Sequence, residues 1–273
     1  MYDFILPVMK AQFNLINIPN QSIILSVNIL GKTSKKKGLV HYTYNKITIF
    51  KYSIYIKNSQ FVLDIFQEVR GNDHFNKTVL GSFIYDISVK YSISEIFINT
   101  SNKLDLDLFV YGFLQKDFIY SNYKKNSQNS KYKTNFKLSK KFLSLINSIN
   151  FLKELVTEPS NIIYPASFAK RTQSQINKKA VNLVTHDEKR IKKIGLNCLL
   201  AVNQGSKRDP IVMEFSKKNS KKNVDILFVG KGVCFDSGGI SIKPSGGMED
   251  MKWDMAGAAV TVSIIKYLSE IKT

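Results

Sequence analysis

Leu138, Phe142, Leu145, Ile146, Ile149, Leu152, Leu155 and Val156 recur at helical spacing, which predicts a helix over about residues 136–157 with one apolar face. The phrase "TEPSN" ends it. Pro165 then opens a second short helix in "YPASFAKRTQSQI", because its fixed φ suits a first helical turn. Strand-like "AVNLV" at 180–184, a charged helix "DEKRIKKIG" closing on Gly195, and strand-like "DPIVMEF" and "VDILFVG" follow in alternation. The last run, "GAAVTVSIIKYLSEI" at 257–271, sets Val262, Ile265, Leu268 and Ile271 on one face, as a buried helix would. Such a rhythm of strands and helices is that of an α/β sheet.

The first ~120 residues read differently in detail and alike in class: short β-rich runs, "SIILSVNIL", "KITIFKYSIYI" and "SEIFIN", are interleaved with the helix-like "FNKTVLGSFIYDISVKY". Between the halves, Ser121 to Asn135 is polar, lysine-rich and free of bulky aliphatics, which places a domain boundary there. The fold class is therefore α/β, with an N-terminal α/β domain followed by a second one.

Composition adjusts this picture little. At 273 residues and 44% hydrophobic content, the chain has enough material for a real core. Its apolar runs fall short of the ~20 residues a bilayer needs. The opening "MYDFILPVMKAQF" has no basic leader and no small-residue cleavage site, so a cytoplasmic location is expected. Cys198 and Cys234 build no disulfide framework and fit a reducing compartment as buried apolar residues. The net charge of +19 sits in "KTSKKK" at 32–37, "NYKKNSQNSKYK" at 122–133 and "SKKNSKKN" at 216–223, where solvated loop tips are expected. A nucleic-acid-binding surface is the less favoured reading of that excess.

Three motifs are set aside. "SVNILGKT" ends like a phosphate-binding loop but has Ser26 where that motif needs glycine. His41, His74 and His186 lack the spacing of a histidine-built metal site, and no G-x-S-x-G elbow occurs. The segment "VGKGVCFDSGGISIKPSGGMEDMKWDMAG" at 229–257 is different. It brings Lys231, Asp236, Lys243 and Asp254 together with glycines that let the backbone bend close to a bound ion. Hard divalent cations favour carboxylate oxygens, a deprotonated lysine amine can join them, and a charged lysine can stabilise negative charge on a substrate oxygen.

This segment resembles the signature of the leucine (cytosol) aminopeptidase family of dimetal peptidases. "LVTEPSNIIYPASFA" at 155–169 resembles the family's stretch leading into the catalytic core, and "GLNCLLAVNQGSKRDPIVMEF" at 195–215 its strand-loop-strand before the metal site. The resemblance implies residues 1–125 as N-terminal domain, 126–157 as linker and connecting helix, and 158–273 as the first part of the catalytic domain. It further implies Lys231, Asp236 and Asp254 as metal ligands, with Asp236 bridging two cations, Zn2+ or Mn2+. Lys243 takes the role of the catalytic lysine, and Met251 lines the pocket for the substrate's first side chain beside Lys243 and Asp236. The implied reaction is hydrolysis of the N-terminal peptide bond of peptides with a free N-terminus, by a hexamer.

The family's Asn-Thr-Asp-Ala-Glu-Gly-Arg element, with its further carboxylates and arginine, does not occur in these 273 residues. Two cations about 3.5–4 Å apart need more carboxylates than these. The expectation is at most one weakly held metal and little or no peptidase activity for this chain alone. The alternatives are a non-catalytic relic or partner subunit of a complete homologue, or a basic nucleic-acid-binding protein.

Overall fold

The computed structural model describes residues 24–30, 39–44, 47–58, 60–67, 73–100, 106–120, 122–123, 132–135, 138–218 and 224–271. The opening segment, the lysine cluster at 32–37, and most of the clusters at 122–133 and 216–223 lie outside the described residues. The chain forms two compact units: Met1–Asp105 with Ser130–Phe136, and Leu106–Asn129 with Lys137–Thr273.

In the first unit β1 (Ile24–Leu30), β2 (Val40–Tyr44), β3 (Ile47–Lys57), β4 (Gln60–Gln67), β5 (Glu95–Thr100) and β6 (Lys133–Thr134) form one sheet in the order β2-β3-β4-β1-β5-β6. β1 lies between parallel partners β4 and β5, while β3 runs antiparallel to both of its neighbours, β2 and β4. Strand alternation decides the faces: Leu25, Val27 and Ile29 of β1 are buried, and Ser26 and Asn28 point the other way. Helix α1 (Asp73–Lys90) covers the face of Phe50 and Tyr52, since the Phe83 ring lies 5.1 and 4.8 Å from theirs. On the opposite face Asn28 Nδ2 donates to Asp64 Oδ1 at 2.9 Å and Asn99 Nδ2 to Asn28 Oδ1 at 3.2 Å, a polar row across three strands. β1, β3, β5 and α1 stand where the pattern predicts them. β2 and β4 complete the sheet.

The second unit begins with α2 (Leu106–Asp117) and α3 (Lys140–Thr157). Ser139 caps α3 by accepting from the Phe142 N–H, which is why the helix starts at 140 although the apolar spacing begins at Leu138. Glu158 closes it, and α4 (Pro165–Gln175) follows with Pro165 in its first turn and Ser167 Oγ accepting from the Tyr164 N–H at 2.9 Å. β7 (Val181–His186) and β8 (Val212–Lys217) form a two-stranded antiparallel sheet, with α5 (Glu188–Lys193) and α6 (Asn197–Asn203) between them. Gly195 takes φ +82° after α5, the left-handed turn expected of a helix-terminating glycine. A 3-10 helix (Met248–Met255) runs directly into α7 (Ala256–Glu270). Phe151 and Leu155 of α3, Ile163, Phe168 of α4, and Met255, Ala259 and Val262 make the core that fixes α7 in place.

Four expectations are corrected. "VDILFVG" at 224–230 is not a strand: it has no ladder partner among the described residues, and Val224, Ile226, Leu227 and Val229 are 71–85% exposed. An apolar run becomes a strand only where partner edges meet it, and β7 and β8 pair only with each other. The segment at 195–215 is helix-loop-strand rather than strand-loop-strand, because Leu199, Leu200 and Ala201 favour the helix α6. Cys198, expected inside, is exposed on that same helix, and Cys234 is half-buried.

The buried face of α7 is also rotated. Ala259, Val262, Ser263, Lys266 and Ser269 are inside, while Leu268 is exposed. Lys266 is accommodated by an ion pair with Glu270 one turn on, and Ser269 O accepts from Asn177 Nδ2 at 3.1 Å. Removing the partner alone leaves a buried ammonium unpaired, so Glu270→Ala is expected to cost about 1–3 kcal/mol in thermal denaturation. Lys266→Met, which removes the buried charge itself, should be near neutral.

Candidate functional site

The five residues singled out by the sequence lie within one short segment of the second unit, and the fold brings them into contact. Gly247, at φ +81°, opens the 3-10 helix, whose three residues per turn set Met251 and Asp254 on the same side. Lys231 Nζ pairs with Asp254 Oδ2 at 2.8 Å. Lys243 Nζ pairs with Asp236 Oδ2 at 2.7 Å and lies 3.0 Å from Met251 Sδ. Lysines 12 residues apart in sequence thus each pair with one of two carboxylates 18 apart.

The turn between Asp236 and Lys243 explains the glycines. Gly238 N donates to Asp236 Oδ1 at 3.0 Å, and Lys243 N donates to Ser237 O at 2.9 Å, which closes the loop back on itself. The Lys243 hydrogen bond, followed by the Gly238 N–H, holds the Asp236 carboxyl below the usual carboxylate range. Asp236 is therefore ionised at neutral pH and available to a cation. Burial pushes the Cys234 thiol up to about 11, so it is protonated at neutral pH.

Gly238 is held at φ +87°, and a Cβ there would lie 2.3 Å from Ser241 O. Gly238→Ala is expected to break this turn, combining about 1–3 kcal/mol of backbone strain with a clash that only backbone movement relieves. Limited proteolysis should show faster cleavage within 236–243 and no change elsewhere.

Among the described residues no group of three or more His, Cys, Asp and Glu side chains is placed to hold a metal ion. The segment instead offers two carboxylates and a lysine amine, hard oxygen and nitrogen donors of the kind divalent cations take. Each carboxylate is balanced by an ammonium, and the pairs are solvent-accessible, with Lys231 57% and Asp254 23% exposed. A cavity of about 460 Å3 lies apart from these five residues, lined by Tyr164, Asp187, Lys207, Arg208 and Asp209 among others. The Arg208 guanidinium there stacks 4.1 Å over the Tyr164 ring. No helix among the described residues is long and apolar enough to cross a membrane.

Comparison with known proteins agrees with the reading of this segment. Residues 150–273 match the cytosol aminopeptidase family, catalytic domain. A probable cytosol aminopeptidase of Afipia carboxidovorans is 46% identical over 128 residues, 46% of this chain and 25% of that protein. One of Phytoplasma mali is 36% identical over 181 residues, 60% of this chain and 36% of that protein. The chain thus spans between a quarter and about a third of the length of these relatives.

Solved structures extend the likeness in fold beyond the matched half. A tomato leucine aminopeptidase mutant aligns with 93% of this chain and 57% of its own, at 16% identity and a TM-score of 0.70. The bottromycin maturation enzyme BotP in complex with Mn aligns with 91% and 56%, at 17% identity and a TM-score of 0.67. The segment carrying Lys231, Asp236, Lys243, Met251 and Asp254 lies wholly inside the stretch, residues 150–273, that is similar to the cytosol aminopeptidase family, catalytic domain.

Proposed function

We propose that this chain carries the N-terminal domain and part of the catalytic domain of a metal-dependent aminopeptidase, which releases N-terminal amino acids from peptides in the cytoplasm. The observation that carries the reading is the convergence of Lys231, Asp236, Lys243 and Asp254, within a segment that matches the cytosol aminopeptidase family. Asp236, Asp254 and the neutral amine of Lys231 would hold one divalent cation, Zn2+ or Mn2+. That cation would supply Lewis-acid polarisation of a scissile carbonyl.

The chain's own residues do the rest. Lys243, as an ammonium beside Asp236, is placed to stabilise negative charge developing on the substrate oxygen. The Met251 thioether, in contact with Lys243, offers an apolar seat for the first side chain of the peptide. BotP, a fold relative, is known in complex with Mn, which supports manganese as the probe ion.

Calorimetric titration of the 273-residue chain with Mn2+ at neutral pH tests the reading. Uptake of about one ion per chain, lost in Asp254→Ala, is the expected result. No uptake of Mn2+ or Zn2+ would sink the metal-dependent reading, and two tightly held ions would sink the single-cation site. Hydrolysis of a leucine anilide by this chain alone is expected to be negligible.

A further inference from the structure

Gly230 and Gly257 stand on either side of the Lys231 backbone, and neither has a positive φ. What calls for glycine here is space. A Cβ on Gly230 would lie 2.6 Å from Gly257 O, 2.7 Å from Ala258 Cα and 2.7 Å from Thr261 Oγ1. Two of those three atoms are backbone and cannot swing aside. A Cβ on Gly257 would lie 3.0 Å from Lys231 N, a tight approach in the opposite direction. Across this notch the Ala258 N–H donates to Lys231 O at 2.8 Å, tying Lys231 to the first turn of α7. Thr261 Oγ1 donates to Gly257 O at 3.0 Å and closes the floor.

Asp254 projects from the 3-10 helix that leads straight into that same turn. The Lys231 side chain is 57% exposed, so packing does not hold its long flexible stem. The place of its amine depends on where its backbone is pinned. We infer that Gly230 and Gly257 are positioning residues that set Lys231 against Asp254, an inference that rests on the metal-dependent reading above. If a side chain enters the notch, α7 does not give way, because Ala259 and Val262 anchor it in the core. The yielding partner is the stretch before Gly230, where Val224 to Val229 is exposed and pairs with no strand among the described residues. Lys231 then moves away from Asp254 while the core stays as it is.

The test compares Mn2+ titration, melting and crystal structures of the full chain as wild type, Gly230→Ala and Gly257→Ala. Gly205→Ala is the control, since a Cβ there meets nothing within 4 Å. Gly230→Ala is expected to weaken Mn2+ binding about tenfold or more, as loss of a ligand-orienting contact does, with melting unchanged. Its Lys231 Nζ to Asp254 Oδ2 separation should open from 2.8 Å to beyond hydrogen-bond reach. Gly257→Ala should show the same in milder form and serves if Gly230→Ala does not fold, while Gly205→Ala should match wild type. Wild-type Mn2+ affinity with the pair intact in the notch variants overturns the inference. A wild type that takes up no Mn2+ sinks the metal reading instead, and the pair separation in the variants then decides the positioning role by itself.

Discussion

Glu158→Ala is expected to destabilise the second unit by about 2–3 kcal/mol, near the lower end of what severing a buried ion pair costs. The Glu158 side chain is only 2% exposed, and both its oxygens are used. Tyr123 Oη donates to Oε2, and Arg171 Nη2 donates to Oε1 at 3.0 Å. Tyr120 also donates to the carboxylate, with its own hydroxyl receiving Asn122 Nδ2 at 3.1 Å. One carboxylate thereby ties Tyr123 and α4 to the end of α3. The effect stays below the full cost of a buried pair because Arg171 is 37% exposed and regains water when its partner is removed. Urea unfolding at neutral pH measures it, and a change under about 0.5 kcal/mol, the range of ordinary surface substitutions, would refute the structural role.

The same carboxylate predicts a pH dependence of definite sign. Burial alone raises the Glu158 carboxyl, but hydrogen bonds from Tyr123, Tyr120 and Arg171 outweigh it and hold the group below its ordinary 4.5. A lowered folded-state value means the ionised form is the one stabilised by folding. That contribution is complete above the unfolded value and is lost as pH falls through the folded one. The stability gap between wild type and Glu158→Gln should therefore be constant from neutral pH to about 5 and narrow below 4.5. A gap that persists unchanged into acid would assign the stabilisation to shape alone. Tyr120 shifts the opposite way, raised by burial first and by Glu158 second, so it stays a neutral donor throughout this range.

This network was invisible in the sequence for a physical reason. Tyr120, Tyr123, Glu158 and Arg171 span 52 positions and follow no period, so only tertiary packing assembles them. The helices α3 and α4 were legible because their signals are local: apolar spacing in one, Pro165 in the other. The candidate site was legible for a similar reason, since its four charged residues sit within 24 positions among glycines that a turn demands. Elements that depend on a partner were less so. "VDILFVG" has strand composition and no edge to join among the described residues, and the buried side of α7 departs from the apolar spacing because the Lys266–Glu270 pair makes a lysine acceptable inside. The Gly230–Gly257 contact leaves no pattern in the sequence because the two lie 27 positions apart and meet only through the backbone.

The local legibility of the site makes its sharpest prediction possible. Asp236→Asn is expected to leave the turn intact, because the amide oxygen still accepts the Gly238 N–H. It changes charge without changing shape. The unsubstituted site holds two ammoniums and two carboxylates, and removing one carboxylate leaves it net positive toward an arriving cation. Mn2+ affinity should fall by at least about 100-fold, more than the 10–100-fold that loss of an outer-shell partner costs. Circular dichroism and melting should match wild type. The contrast with Gly238→Ala separates the two contributions of this turn, since that variant damages the loop while retaining the charge. If Asp236→Asn binds Mn2+ as tightly as wild type, Asp236 is only the anchor of a turn, and the cation site must be built without it.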